Sequence, residues 1–115
     1  MPVYAIVRMS VDATSVATCG PWIALDQFCT PFNVGFGVNL VSGGPPSTRV
    51  QHTFENVLNP RVSASFISVF DNIDVTASVT AADGNYAFPV GAIRLVINSM
   101  TSAGTVQLHV RQAGY

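Results

Sequence analysis

Hydrophobic and polar residues alternate with a period of two along four stretches of this chain. Over 33–41, Val34, Phe36, Val38 and Leu40 fall on one face, and Gly35, Gly37 and Asn39 on the other. Strict alternation marks a strand with one buried face. The small residues opposite predict either a bend or the close approach of something large. Over 47–57, Val50, His52 and Phe54 alternate with Arg49, Gln51, Thr53 and Glu55. In 92–98, Ile93, Leu95 and Ile97 oppose Arg94 and Asn98, and in 105–112, Val106, Leu108 and Val110 oppose Gln107, His109 and Arg111.

Shorter signals fill the gaps. Positions 3–9 form an apolar run of β-formers, while 62–70 and 73–80 read as a strand pair joined through Asp71 and Asn72. Asp83-Gly84 is a strong hairpin signal. Ser42-Gly43-Gly44-Pro45-Pro46, Asn59-Pro60 and Thr101-Ser102-Ala103-Gly104 break the strands. No amphipathic helical period with caps is present; only 11–17 and 51–58 leave room for a helical turn. The pattern predicts one all-β domain over 1–115, an antiparallel β-sandwich, jelly-roll-like, of seven or eight short strands. Residues 1–32 leave room for an extended arm.

Charge changes this picture. The 115 residues carry five arginines (Arg8, Arg49, Arg61, Arg94, Arg111), no lysine and six carboxylates, for a net charge of −1. A folded chain of this size exposes on the order of 6,000 Å². Eleven charges are sparse on that area beside the ~25–35% charged surface of a well-behaved soluble monomer. The composition therefore points to a subunit of an assembly. Scattered single arginines give no basic field for nucleic acid. No apolar run approaches the ~20 residues of a membrane-spanning helix. The start, Met1 to Arg8, lacks a basic n-region and a long apolar stretch, so export by the general pathway is not expected.

Candidate chemistry is thin. Cys19 and Cys29 have nine residues between them, without the close pairing of zinc or redox motifs, and reduced, half-buried thiols are expected, with a disulfide as the alternative. His52 lies on an apolar strand face, which suits a hydrogen-bonded core histidine better than a catalytic base. His109 lies on a polar face, solvated or in a subunit contact. Asp71 and Asp74 cap a turn more readily than they hold a cation, since calcium loops need more ligands in tight spacing. No metal, cofactor or catalytic site is expected, and the chain does not read as an enzyme. Trp22, Phe28, Phe32 and Phe36 cluster in sequence. They anchor a core or an interface, or form a sugar-binding platform. Phe32, Phe36, His109 and Arg111 are the candidate subunit contacts.

The segments Val50-Gln51-His52-Thr53-Phe54, Asp83-Gly84-Asn85-Tyr86-Ala87-Phe88-Pro89-Val90-Gly91-Ala92-Ile93-Arg94-Leu95, and Gly104 to Gly114 carry a resemblance over roughly residues 48–114. They resemble small β-rich virion proteins of tailed bacteriophages. The resemblance implies a structural role, above all a capsid decoration (cement) protein that binds the assembled head in the host bacterial cytoplasm. The implied partners are the major capsid protein or other virion proteins, with self-association as a dimer or trimer. Head-completion, tail or fibre-attachment proteins and a carbohydrate-binding sandwich module are the alternatives. The Gly43–Pro46 loop and the chain ends are the parts suited to reach a neighbour, and the first strand, if it lacks a partner in its own subunit, to add to the edge of a coat or sister sheet. On this reading Phe36→Asp weakens assembly; unfolding of the isolated subunit would instead place Phe36 in the core.

Overall fold

A computed structural model describes residues 3–26, 32–55, 57, 68–73, 75–77, 79 and 81–113. These residues form nine strands: β1 (Tyr4–Val11), β2 (Thr18–Cys19), β3 (Ile23–Ala24), β4 (Asn33–Ser42), β5 (Pro46–Thr53), β6 (Phe70–Asp71), β7 (Ala82–Tyr86), β8 (Ala92–Met100) and β9 (Gly104–Ala113). They make two antiparallel sheets, one ordered β1-β9-β4-β7 and one ordered β2-β8-β5-β6, with β3 also on β8.

The short strands β2 and β3 are two pieces of one edge. Both pair with the same strand, at Val96–Ile97 and at Ala92–Ile93. Between them Gly20 N–H still donates to Leu95 O at 2.8 Å, and the ladder breaks at Pro21, which has no N–H to give. Counted as one strand, they complete a jelly roll. First pairs with last (β1–β9), the interrupted edge with β8, β4 with β7, and β5 with β6. The β4–β9 and β5–β8 ladders then join these four pairs into two sheets.

Alternation decides what lies between the sheets. Met9, Val34, Phe36, Val38, Val106, Leu108 and Val110 from the first sheet meet Ile23, Val50, Ile93, Leu95 and Ile97 from the second. Tyr86, Val90, Met100 and Val75 close the ends of this core. The exposed surface, 6292 Å², is close to what the chain length alone requires.

Three expectations need correction. Asp83-Gly84 does not turn the chain but runs straight through β7, paired with Gly37 and Phe36. Gly84 has no side chain to pack, and the Phe36 ring stands directly opposite it, which makes a strand favourable at a dipeptide that usually turns. Asp71 is likewise in a strand, and the turn falls later, where Val75 N–H donates to Asn72 O. No strand follows it among the described residues of 73–80; most of 62–70 lies outside the described residues. Leu40 leaves the buried set and is 37% exposed, because the register with β9 shifts between Leu40 and Ser42.

Phe36 also changes role. It is 4% exposed in the isolated chain, with its ring 5.6 Å from that of Tyr86. A carboxylate there is buried without a partner, a change that costs several kcal/mol. Phe36→Asp is therefore expected to unfold the isolated subunit, seen as loss of the cooperative urea transition. A variant that keeps wild-type stability would remove Phe36 from the core.

Candidate functional site

The outer face of the first sheet is set by its registers. Residues on opposite strands line up as rows: Tyr4, Arg111, Gly35 and Asn85; then Ile6, His109, Gly37 and Asp83; then Arg8, Gln107 and Asn39. On the central strand β4, two successive outward positions are glycine. A Cβ built at Gly35 or Gly37 meets nothing within 4 Å. The missing side chains leave a shallow open hollow of about 450 Å³ lined by Gly37, Asn39, Asp83 and His109. A second hollow continues it along Gly35, Tyr4 and Arg111.

The walls of this trough are polar and held in place. The Arg111 guanidinium lies 4.7 Å from the centre of the Tyr4 ring, a cation–π contact that fixes both side chains. Arg8 Nε donates to Gln107 Oε1, and the Gln107 amide meets His109 Nε2. Bare backbone is thus flanked by imidazole and guanidinium on one side and by Asp83 and Asn85 on the other. Such a floor accepts a flat polar or aromatic group against the strand.

Of the four predicted contact residues, the structure brings His109 and Arg111 together on this face. Phe36 points the opposite way, and Phe32 is half-buried against the core.

A second surface was not legible in the periodicity. His52 is buried, 7% exposed, and its Nδ1 is hydrogen-bonded to the Tyr86 hydroxyl at 2.9 Å. Four rings surround it: Tyr86 at 4.9 Å between centroids, Phe54 at 5.6 Å, Phe70 at 5.8 Å and Phe88 at 5.9 Å. Phe54, Phe70 and Phe88 are about half exposed, and Phe54 touches both of the others. Val69 and Ile73, neighbours of Phe70 in sequence, are also exposed, Ile73 at 90%. An aromatic column therefore runs from Phe36 in the core through Tyr86 and His52 to a surface of three rings. Phe70 reaches it only through the β5–β6 pairing, which no local pattern announces. The histidine takes the hydrogen-bonded, buried role its strand face predicted.

The outer face of the second sheet carries a polar ladder. Arg94 donates from Nε and Nη2 to Gln51 Oε1 at 2.9 and 2.8 Å, and Gln51 Nε2 donates to Asp71 Oδ1 at 2.9 Å. Asp71 also faces Arg49 at 3.7 Å. Arg94 covers the Trp22 ring at 4.4 Å, so half-buried Trp22 is not the open platform a sugar-binding module would present there. Phe28, Cys29 and Asp74 lie outside the described residues; Cys19 is an exposed free thiol. Among the described residues no three His, Cys, Asp or Glu side chains gather as a metal site.

No protein-family model and no curated protein sequence matches the chain. Remote structural similarity is found to several solved proteins. A chain of the disulfide-linked pili of Bacillus endospore appendages is 12% identical, covering 99% of this chain and 89% of that one, with a TM-score of 0.40. A black queen cell virus chain is 9% identical, covering 99% and 68%, with a TM-score of 0.43. The SPBc2 prophage-derived protein YomS is 12% identical, covering 96% of both chains, with a TM-score of 0.40. Similarity this distant bears on neither function nor partner.

Burial lowers the His52 pKa below its ordinary 6.5, while the Asp71 carboxylate pulls it the other way. The native state then binds fewer protons than the unfolded chain. Stability from the neutral imidazole is full above pH 6.5 and is lost as pH falls from there toward the folded value. Replacing His52 with Gln keeps a hydrogen-bonding group for Tyr86 and removes the titration. The wild-type minus His52→Gln difference in unfolding free energy is expected to fall as pH drops below 6.5. A difference that stays level or rises would show that His52 is not buried in neutral form.

Proposed function

We propose that this protein is a structural virion protein of a tailed bacteriophage. Within that class it is a capsid decoration protein, which binds the assembled head and bridges neighbouring capsid subunits. The observation that supports this reading is the half-exposed patch of Phe54, Phe70 and Phe88 on a chain with only eleven charged residues. Aromatic side chains dominate interface energetics, and the buried centre of an interface is depleted in charge. Here the rings are braced from beneath by His52 and Tyr86, so little side-chain freedom remains to be lost on docking. A protein that binds the assembled shell but not free subunits stabilises the shell by mass action. Repetition over many sites makes modest individual contacts sufficient. No catalytic step enters this function. Other virion positions, at the head–tail junction or in the tail, would use the same patch.

A second reading, a carbohydrate-binding module, is favoured by one observation: the polar trough over Gly35 and Gly37, with Asp83, His109 and the Tyr4 ring on its walls. It requires glycan affinity that Asp83→Asn abolishes.

The test is co-sedimentation of the purified protein with expanded phage heads. Wild type is expected to pellet with the heads, and the Phe70→Ser, Phe88→Ser double variant to bind at least about tenfold more weakly while keeping the wild-type circular dichroism spectrum and a cooperative unfolding transition. Undiminished binding by that variant would remove the patch from the interface. Absence of binding by wild type, together with glycan affinity, would replace decoration by sugar recognition.

A further inference from the structure

The sandwich has four edges, and they differ. Among the described residues, β6 offers two residues, the opposite edge of its sheet is broken into β2 and β3, and β7 is five residues long with Asp83 on its outer face. Strand β1 is eight residues long and unbroken, with β9 on one side and no described strand on the other. Proteins normally blunt such an edge with proline, lysine, a bulge or a covering segment. Over Tyr4–Val11 there is no proline or lysine, and the register with β9 runs without a shift.

The hydrogen-bonding phase of this edge can be read from one bond. Gln112 N–H donates to Val3 O at 2.7 Å. Alternate residues of an antiparallel pair turn their backbone groups to the same partner, so Val3, Ala5, Val7, Met9 and Val11 face β9. The N–H and C=O groups of Tyr4, Ile6, Arg8 and Ser10 consequently point out of the open edge. The same four residues put their side chains on the outer sheet face, where Tyr4 is 60% and Ile6 47% exposed. Backbone donors and acceptors with no strand partner among the described residues, and apolar side chains, lie along one line.

We infer that β1 pairs antiparallel with β1 of a second copy about a two-fold axis at Ile6, joining the two four-stranded sheets into one continuous sheet. Charge complementarity selects both the occupant and the register. Side chains on one face must oppose one another, so the axis passes through a residue rather than between two. An axis at Arg8 sets Arg8 against the partner's Arg8, a like-charge pair in direct opposition. An axis at Val7 sets Arg8 against the partner's Ile6 and leaves Tyr4 opposite serine. An axis at Ile6 pairs Ile6 with the partner's Ile6 and Tyr4 with the partner's Arg8. On the inner face it pairs Ala5 with the partner's Val7. The edge is complementary to itself: its one cation meets an aromatic ring and its apolar residue meets its own copy. Such an isologous contact closes at two subunits and does not propagate. β1 and β7 are opposite edges of their sheet, so this dimer uses neither Tyr86 nor the rings about it. The inference does not rest on the decoration reading.

Ile6→Pro tests the pairing with little disturbance of the subunit, because the N–H it removes points out of the edge, and proline is tolerated on edge strands. Ile6→Lys sets like charges face to face at the axis. Sedimentation equilibrium should give a reversible wild-type dimer, dissociating on the order of micromolar since a single strand pair is a small interface. Both variants should dissociate at least about tenfold more readily with wild-type circular dichroism spectra. In a background with Cys19 and Cys29 replaced by serine, oxidised Ile6→Cys should form a disulfide-linked dimer and Arg8→Cys should not. A wild-type monomer at high micromolar concentration would overturn the inference. So would a dimer unaffected by Ile6→Lys, while crosslinking at Arg8→Cys alone would overturn the register.

Discussion

Everything in this molecule depends on closing a ladder between residues about a hundred positions apart. Strand β9 must find β1 on one side and β4 on the other before either outer face or inner face of the first sheet exists. The β5–β8 ladder makes a similar demand of the second sheet over about half that separation, from Pro46 with Met100 to Thr53 with Ala92. Each of these pairings must overcome the entropy of closing a long loop before its contacts return any stabilisation. The chain meets this demand with mostly Val, Ile, Leu, Phe and Met at the inward positions of β4, β8 and β9, whereas β5 buries Thr48, Gln51, His52 and Thr53 along with Val50. Their apolar faces have nowhere to go except against the facing sheet. Jelly-roll wrapping satisfies both needs at once, since each successive strand pair is brought together by the one already formed.

This explains which parts of the fold could be read from the residues. The runs 33–41, 92–98 and 105–112 each have a mainly apolar face, and each is a strand with that face inward except at Leu40, where the register shifts. Phase within a strand is a local property, and local properties are written in local sequence. Asp83-Gly84 shows the limit. Its turn propensity is real, but it is decided against by the Phe36 ring on another strand, and no window around residue 83 contains that information. The same holds for Asp71, whose place in β6 is set by Gln51 and His52.

The candidate surfaces follow the same division. His109 and Arg111 were visible as outward residues of one strand, two apart, and the structure keeps them together. The trough beside them comes from Gly35 and Gly37 lying between β9 and β7, so it needed the cross-strand register. Phe54, Phe70 and Phe88 come from three separate stretches and converge only on the histidine between them. Phe36 reads as core or interface from sequence, because alternation assigns a face but not whether that face meets a sheet of the same subunit or another molecule. Here the opposite sheet covers it.

The sparse charge now divides into unequal parts. Arg94, Asp71 and Arg49 occupy one polar ladder on the second sheet, Arg8 and Arg111 are tied to Gln107 and Tyr4 on the first, and Asp83 faces the trough. Among the described residues that leaves Asp12, Asp26 and Glu55 to guard an edge or dilute an apolar patch. The surface is not unusually large for the chain length, so the shortage does not reflect an open or unfinished core. It bears instead on two places where a soluble monomer would carry more protective charge, the β1 edge, whose one charged residue is Arg8, and the phenylalanines about His52. These recognise by different physics. A strand edge offers a repeating backbone ladder whose register is chosen by a few side chains, whereas the rings offer rigid apolar area with little backbone involvement. A two-fold pair made through the first would present two copies of the second on one rigid body. Each contact to a repeating surface then raises the effective concentration of the other. A subunit built this way gains affinity from geometry rather than from charge, which is consistent with a sequence that has so little charge to use.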